Sequence, residues 1–191
     1  MRVGLIGTGR IGGNLARLLV AGGDEVVLSA GNPDGPRRLA EELGARATTM
    51  SPRDAIAAVD VVAIAVWWEA FPDIALDYGE ALQGKIVIDP SNPITERAGQ
   101  IVPLPIPDGL TSPQFQLQRL GNVRLVRTFG DRFAADLLAD GQRGQRTGER
   151  SPMRYWSDDP AAADVVVALI RDAGFDPIDG GGLADSKNAG E

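Results

Sequence analysis

The chain has 191 residues and a formal net charge of −7, with 43% hydrophobic and 24% charged residues, a composition that buries a core without staples. It contains no cysteine and no histidine. Disulfides and thiol catalysis are therefore excluded, no usual zinc ligand set is at hand, and the commonest general acid–base is missing. The acidic balance argues against nucleic acid or an anionic membrane surface as the main partner. No run approaches the roughly 18 apolar residues of a membrane span, and the chain opens directly into a strand, so a cytoplasmic protein is expected.

The first half alternates strand-like and helix-like segments. Met1–Ile6 is short and apolar. Arg10–Ala21 has helical periodicity, with Ile11, Leu15, Leu18 and Leu19 on one side. Glu25–Ser29 reads as a strand and Pro36–Leu43 as a helix, with Pro36 in its first turn and Gly44 as its stop. A short strand at Ala45–Thr48 precedes a helix at Pro52–Ala58, for which Ser51 is the candidate N-cap. Asp60–Val66 carries the kind of continuous apolar run that belongs in a strand covered on both faces. Phe71–Leu82 reads as a helix and Lys85–Asp89 as another buried strand. Strands separated by helices at this spacing predict right-handed βαβ units.

The second half is less regular. Pro90–Pro113 is rich in proline and turn formers, and little regular structure is expected before a helix at Pro113–Leu120. A strand at Asn122–Arg127, a helix at Arg132–Ala139 and a polar, Gly- and Arg-rich loop at Asp140–Arg150 follow. Met153–Ser157 reads as a strand, Asp158 or Asp159 caps a helix through Ala173, and Phe175–Asp179 is the last strand. The expected fold is one α/β domain over residues 1–191: a doubly wound, Rossmann-type, mostly parallel sheet. Residues 1–89 would form the dinucleotide-binding half, and residues 90–191 the substrate-side half with a short C-terminal extension of the same sheet.

The sharpest motif is Gly7-Thr8-Gly9-Arg10-Ile11-Gly12, preceded by an apolar strand and followed by an amphipathic helix. In this context Gly7 permits the tight turn, Gly9 lets a pyrophosphate approach the backbone, and Gly12 lets the helix pack closely on the sheet. The pyrophosphate would sit on free amides at the positive helix end. An NAD site usually places Asp or Glu at the end of the second strand to hold the ribose hydroxyls. Here that strand ends in Ser29, which can donate to a 2′-phosphate, and Arg37, Arg38 and Arg10 are candidate phosphate contacts. The alternative for the arginines is a solvated helix turn. NADP(H) is the expected cofactor.

These residues resemble the F-420-dependent NADP reductase family, whose members move hydride between NADPH and a deazaflavin coenzyme. The similarity runs from RVGLIGTGRIGGNLARLL through DVVAIAV and KIVIDPSNP to LVRTFG and ALIRDAGFDPIDGGGLAD. The resemblance implies that Val66 and Trp67 flank the dinucleotide, that Asn92 and Pro93 lie beside the nicotinamide, and that Phe129 and Gly130 border the substrate side. It also implies a homodimer. The chain departs from the family where Asn32 stands at the place of a phosphate-gripping arginine, and where Gly130 replaces an asparagine.

Hydride transfer depends above all on proximity and orientation. A deazaflavin delocalises the incoming charge itself, which suits a chain without His or Cys. Tyr78, Tyr155 and Lys187 are the available proton donors, none in a recognisable motif, so no acid–base residue is assigned. Two alternatives stay open: NADPH-dependent reduction of free flavin or a small organic electrophile, and a dinucleotide-binding sensor without turnover. Trp67 reads either as a pocket wall or as a joint filler. Ile101–Ile106 reads either as an exposed apolar interface or as a loop folded onto the core.

Overall fold

The computed structural model describes residues 1–186. In chain order the elements are β1 (Arg2–Ile6), α1 (Arg10–Ala21), β2 (Glu25–Ser29), α2 (Asp34–Leu43), β3 (Ala47–Thr49), α3 (Pro52–Ala57), β4 (Val61–Ile64), α4 (Phe71–Leu82), β5 (Ile86–Asp89), β6 (Ile94–Arg97), β7 (Gln100–Pro103), α5 (Ser112–Leu120), β8 (Arg124–Thr128), α6 (Ala134–Thr147), β9 (Pro152–Trp156), α7 (Pro160–Asp172) and β10 (Asp176–Asp179). Eight strands make one sheet in the order β10-β9-β8-β5-β4-β1-β2-β3, while β6 and β7 form a separate hairpin. From β3 to β8 every pairing is parallel; β9 runs antiparallel to β8, and β10 parallel to β9. This is the doubly wound α/β fold, and its C-terminal strands extend the same sheet.

The central strands β1, β2, β4 and β5 are mostly apolar because both of their faces are covered. Val3, Leu5, Val26, Leu28, Val61, Ala63, Ile86, Ile88 and Val126 pack with Leu15, Leu18 and Leu19 of α1, Leu39 of α2, Leu137 of α6 and Leu169 of α7. Their alternates Val27, Val62, Ile64, Val87 and Leu125 face α3, α4 and α5 through Ile56, Phe71 and Leu120. The period-2 alternation divides one apolar run between two cores. Each fully buried Leu, Ile or Val contributes about 1.5–3 kcal/mol.

Two expectations for the second half are corrected. The polar loop expected at Asp140–Arg150 is helical as far as Thr147, because α6 continues through it. Its glycines are packing residues: a Cβ on Gly141 would lie 2.6 Å from Leu18 Cδ2, and one on Gly144 would lie 1.9 Å from the Gly174 carbonyl. Gln145 secures that contact by donating to the carbonyls of Leu18 (2.8 Å) and Asp172 (2.7 Å). The Pro-rich stretch likewise contains the β6–β7 hairpin, with Ile94 opposite Pro103. Within Ile101–Ile106 the two readings divide, since Ile101 is exposed while Val102, Leu104 and Ile106 are half-buried.

Candidate functional site: the carboxyl edge of the sheet

The chain winds from β1 to β2 and β3 on one side, and from β4 to β5 and β8 on the other, so the topology reverses beside β1. In sheets of this kind ligands bind outside the strand carboxyl ends at that reversal. The end of β1 is pinned there on both sides. Gly7 N–H donates to the Ser29 carbonyl and Ala65 N–H to the Ile6 carbonyl, each at 2.8 Å.

The three glycines of the motif have separable roles. Gly7 adopts φ 98°, and a Cβ on it would lie 2.3 Å from the Ala65 carbonyl. A Cβ on Gly12 would lie 2.0 Å from the Gly7 carbonyl. A Cβ on Gly9 would meet no atom within 4 Å. Gly7 and Gly12 are therefore required by the fold, whereas the space at Gly9 is left open. Gly9 caps α1 without a side-chain hydrogen bond, and no acidic residue stands in the first turn. The amides of Arg10, Ile11 and Gly12 have no acceptor within the helix, which leaves a positive, uncapped end that fits a pyrophosphate. Thr8 is half-buried, Arg10 is exposed, and Ile11 packs on the core beneath α1.

Beyond the ends of β2 and β3 lies an open cleft of about 420 Å³ lined by Ala30, Gly31, Arg37, Met50, Ser51 and neighbouring residues. It lies where the adenosine ribose of a Rossmann ligand would project. The structure sorts the expected phosphate contacts. Ser29 is 1% exposed, and its hydroxyl donates to the Met50 carbonyl at 3.0 Å, which joins β2 to the chain after β3. Asn32 is exposed, and its Oδ1 accepts from Asp34 N–H at 2.9 Å, an Asx turn that starts α2. Arg37 lines the cleft and makes a 3.8 Å contact to Asp34, with both side chains more than half exposed. Such a pair gives up its arginine at little cost. Arg38 is exposed and does not line this cleft.

At the other end of the edge, Trp67 follows β4 and is 53% exposed, whereas Trp68 is buried against Phe71 and Phe115. Val66 is half-buried next to Gly7. Thr95 of β6 donates to Glu69 at 2.5 Å, which ties the hairpin to the turn behind Trp67.

Phe129 follows β8 directly. It is fully buried, with its ring edge-on to Phe175 at 6.4 Å, and only its backbone, at φ 63°, shapes the edge. The exposed aromatic after β8 is Phe133, at 82%. Asn92 ties two loops together. Its Oδ1 accepts from Arg127 at 2.6 Å and its Nδ2 donates to the Gly130 carbonyl at 2.8 Å. Pro93 is buried beside it.

Arg127 and Asp89 escaped the motif reading. They are direct neighbours in the β5–β8 register and both are buried. Asp89 Oδ1 accepts from Ser91 N–H at 2.8 Å. Burial pushes the Asp89 carboxyl above the usual range, while the Arg127 charge works in the opposite direction. A signal was present in the sequence: Arg127 falls two residues after Leu125, in phase with the apolar face of its strand.

The proton-donor candidates lie elsewhere. Tyr78 packs on the α3–α5 side of the sheet, and Tyr155 packs against the opposite core. Burial, followed by Asp179 and Asp164, pushes the Tyr155 phenol up. Lys187 lies outside the described residues. Among the described residues no acidic cluster could hold a metal ion, and no helix is long and apolar enough to cross a membrane.

Comparison with known proteins agrees with this geometry. Residues 2–93 match the family described as NADP oxidoreductase coenzyme F420-dependent. The chain is 28% identical over 186 residues to the metalloreductase STEAP3 of Rattus norvegicus, covering 97% of this chain but 35% of that protein. Among solved structures, a hypothetical protein from Sinorhizobium meliloti superposes with a TM-score of 0.84 at 25% identity, over all of this chain and 91% of the other. A proposed F420-dependent NADP-reductase from Arthrobacter sp. FB24 superposes with a TM-score of 0.76 at 20% identity, over 95% of this chain and 85% of the other. The family match spans residues 2–93, which include the whole glycine cradle and the end of β5, and the chain spans about a third of the length of the curated relative it matches.

Proposed function

We propose that this protein transfers hydride between NADP(H) and a planar redox partner, with the deazaflavin coenzyme F-420 as the first candidate. The observation that carries the reading is the open space at Gly9, over the uncapped end of α1, in a motif whose other two glycines are closed by backbone. The backbone of Gly7–Gly12 would hold the pyrophosphate, and Arg10 and Arg37 would supply the nearby positive charge. NADPH, when bound, supplies the hydride. The protein's share is to orient the ring along the strand ends and exclude water from it. Trp67, exposed after the end of β4, would cover that ring, and direct transfer needs the reacting rings about 3–3.5 Å apart.

The test is to mix the protein with NADPH and oxidised F-420, then with NADPH and free flavin, and to follow NADPH absorbance. Oxidation of NADPH by F-420 supports the proposal. Reduction of free flavin alone assigns the chain to flavin reduction, a reading favoured by the exposure of Trp67 and Phe133, which leaves the edge open to any planar ring. Tight binding without oxidation of either assigns it to binding without turnover. A homodimer completes the proposal on the strength of the family resemblance, and sedimentation velocity checks its stoichiometry.

A further inference from the structure

Arg127 is buried where an apolar side chain would serve the fold. It is 2% exposed and shares its sheet face with Leu125. Burying a guanidinium is costly unless its donors are well used, and a buried ion pair is weak evidence of a role in stability. Here the donors reach across to another loop. One terminal nitrogen donates to the Ser91 carbonyl, and the other to Asn92 Oδ1 at 2.6 Å. Asn92 Nδ2 extends the tie to the Gly130 carbonyl at 2.8 Å. The loop after β5 and the loop after β8 are thus joined through one buried arginine.

Two further features hold the same junction. A Cβ on Gly130 would lie 2.8 Å from the Pro90 carbonyl and 3.4 Å from Arg127 Nη2, so the loops meet backbone to backbone. Phe129 accepts φ 63° to deliver Gly130 there, a conformation bulky residues seldom adopt and one that clusters at functional sites. Beside the tie, Arg127 Nε is buried without a hydrogen-bond partner among the described residues. Such a cost is unusual in an arrangement that serves stability alone.

We propose that Arg127 is a positioning residue for the nicotinamide ring: through Ser91 and Asn92 it sets the spacing between the loops after β5 and β8, and with it the depth at which the ring rests. The proposal depends on the reading that a nicotinamide dinucleotide lies across this edge. Arg127 itself, being buried, does not touch the ring.

The experiment separates the two ends of the cofactor. NADPH and adenosine 2′,5′-bisphosphate, which lacks the nicotinamide, are titrated calorimetrically into the unmodified protein, Arg127→Met, Arg127→Lys and Asn92→Ala. Nicotinamide fluorescence of bound NADPH is recorded for each. Arg127→Met and Asn92→Ala are expected to weaken NADPH about tenfold and to abolish its fluorescence change, with affinity for the bisphosphate held within about twofold. Arg127→Lys keeps the charge but cannot fork to both acceptors, and falls between. If Arg127→Met does not fold, Asn92→Ala carries the test. Unchanged NADPH affinity and fluorescence in the folded variants overturns the proposal. Equal weakening of both ligands overturns it as well, because that marks a general loosening of the fold. If the unmodified protein binds the bisphosphate but NADPH shows no nicotinamide fluorescence change, the reading of this edge falls first and takes the proposal with it.

Discussion

The two ends of the carboxyl edge are built from different materials. At the α1 end the features are backbone: a positive φ at Gly7, an uncapped helix terminus, and a glycine with nothing beside it. At the β5–β8 end they are side chains, buried and mutually committed, with Arg127, Asn92 and Ser91 holding one another in place. The α1 end is ready for a ligand because its polar groups are unspent. The β5–β8 end is shaped because the terminal nitrogens of Arg127 and the amide of Asn92 are spent on neighbouring loops. The α1 end can therefore be altered by a single added side chain, whereas the β5–β8 end changes only when a chain of partners is broken.

The largest effects should come from the glycines, and they should separate fold from ligand. Gly12→Val forces a Cβ against the Gly7 carbonyl and should cost about 3 kcal/mol or more in a urea titration. Gly9→Val should unfold at the same denaturant concentration as the unmodified protein and yet lose at least about a hundredfold in NADPH affinity. Loss of stability in Gly9→Val would show that the space beside it is less open than the backbone geometry indicates.

A smaller effect is expected at the cleft beyond β2. Arg37→Ala should weaken NADPH about tenfold while leaving NADH unchanged, because only the former carries the 2′-phosphate. Ser29→Ala should leave the NADPH-to-NADH ratio as it was and cost about 1 kcal/mol of stability through the lost bond to Met50. A shift in that ratio in Ser29→Ala would mean that the hydroxyl turns outward when the cofactor binds. Trp67→Ala should slow hydride transfer about tenfold, measured by stopped flow, with NADPH affinity little changed.

The smallest effect lies away from the edge. Hydrogen bonding from Arg124, then the Ala162 amide at the start of α7, hold the Asp159 carboxyl down at about 2. A depressed native pKa adds stability that is complete above the ordinary carboxylate range and lost as pH falls through that range toward 2. Asp159→Ala should remove this part of the acid sensitivity in thermal melts between pH 5 and 2. A variant with the parent's full acid slope would place the titration elsewhere.

The β1–α1–β2 unit was legible because its requirements are local. The strand, the glycine spacing and the helix that follows are contiguous in the chain, and the acid-free end of β2 could be read directly. The contributions of individual side chains were less legible. Ser29 was rightly located at the end of β2, but its partner Met50 is 21 residues away. Phe129 was rightly placed after β8, but the buried Phe175 claims its ring. The glycines of Asp140–Arg150 looked like loop signals because their packing partners, Leu18 and Gly174, are remote in sequence.

The sequence alone determined the doubly wound sheet, the extent of its core strands and the place of the cofactor cradle, because hydrophobic period and glycine backbone demands act over a few residues. Only the tertiary structure decided which polar groups remain free for a ligand. A hydroxyl, an amide or a guanidinium is available or spent according to neighbours brought in from distant parts of the chain, and so Arg37 emerged beside the cleft, Ser29 proved bonded to Met50, and Arg127 became the hidden link between two loops.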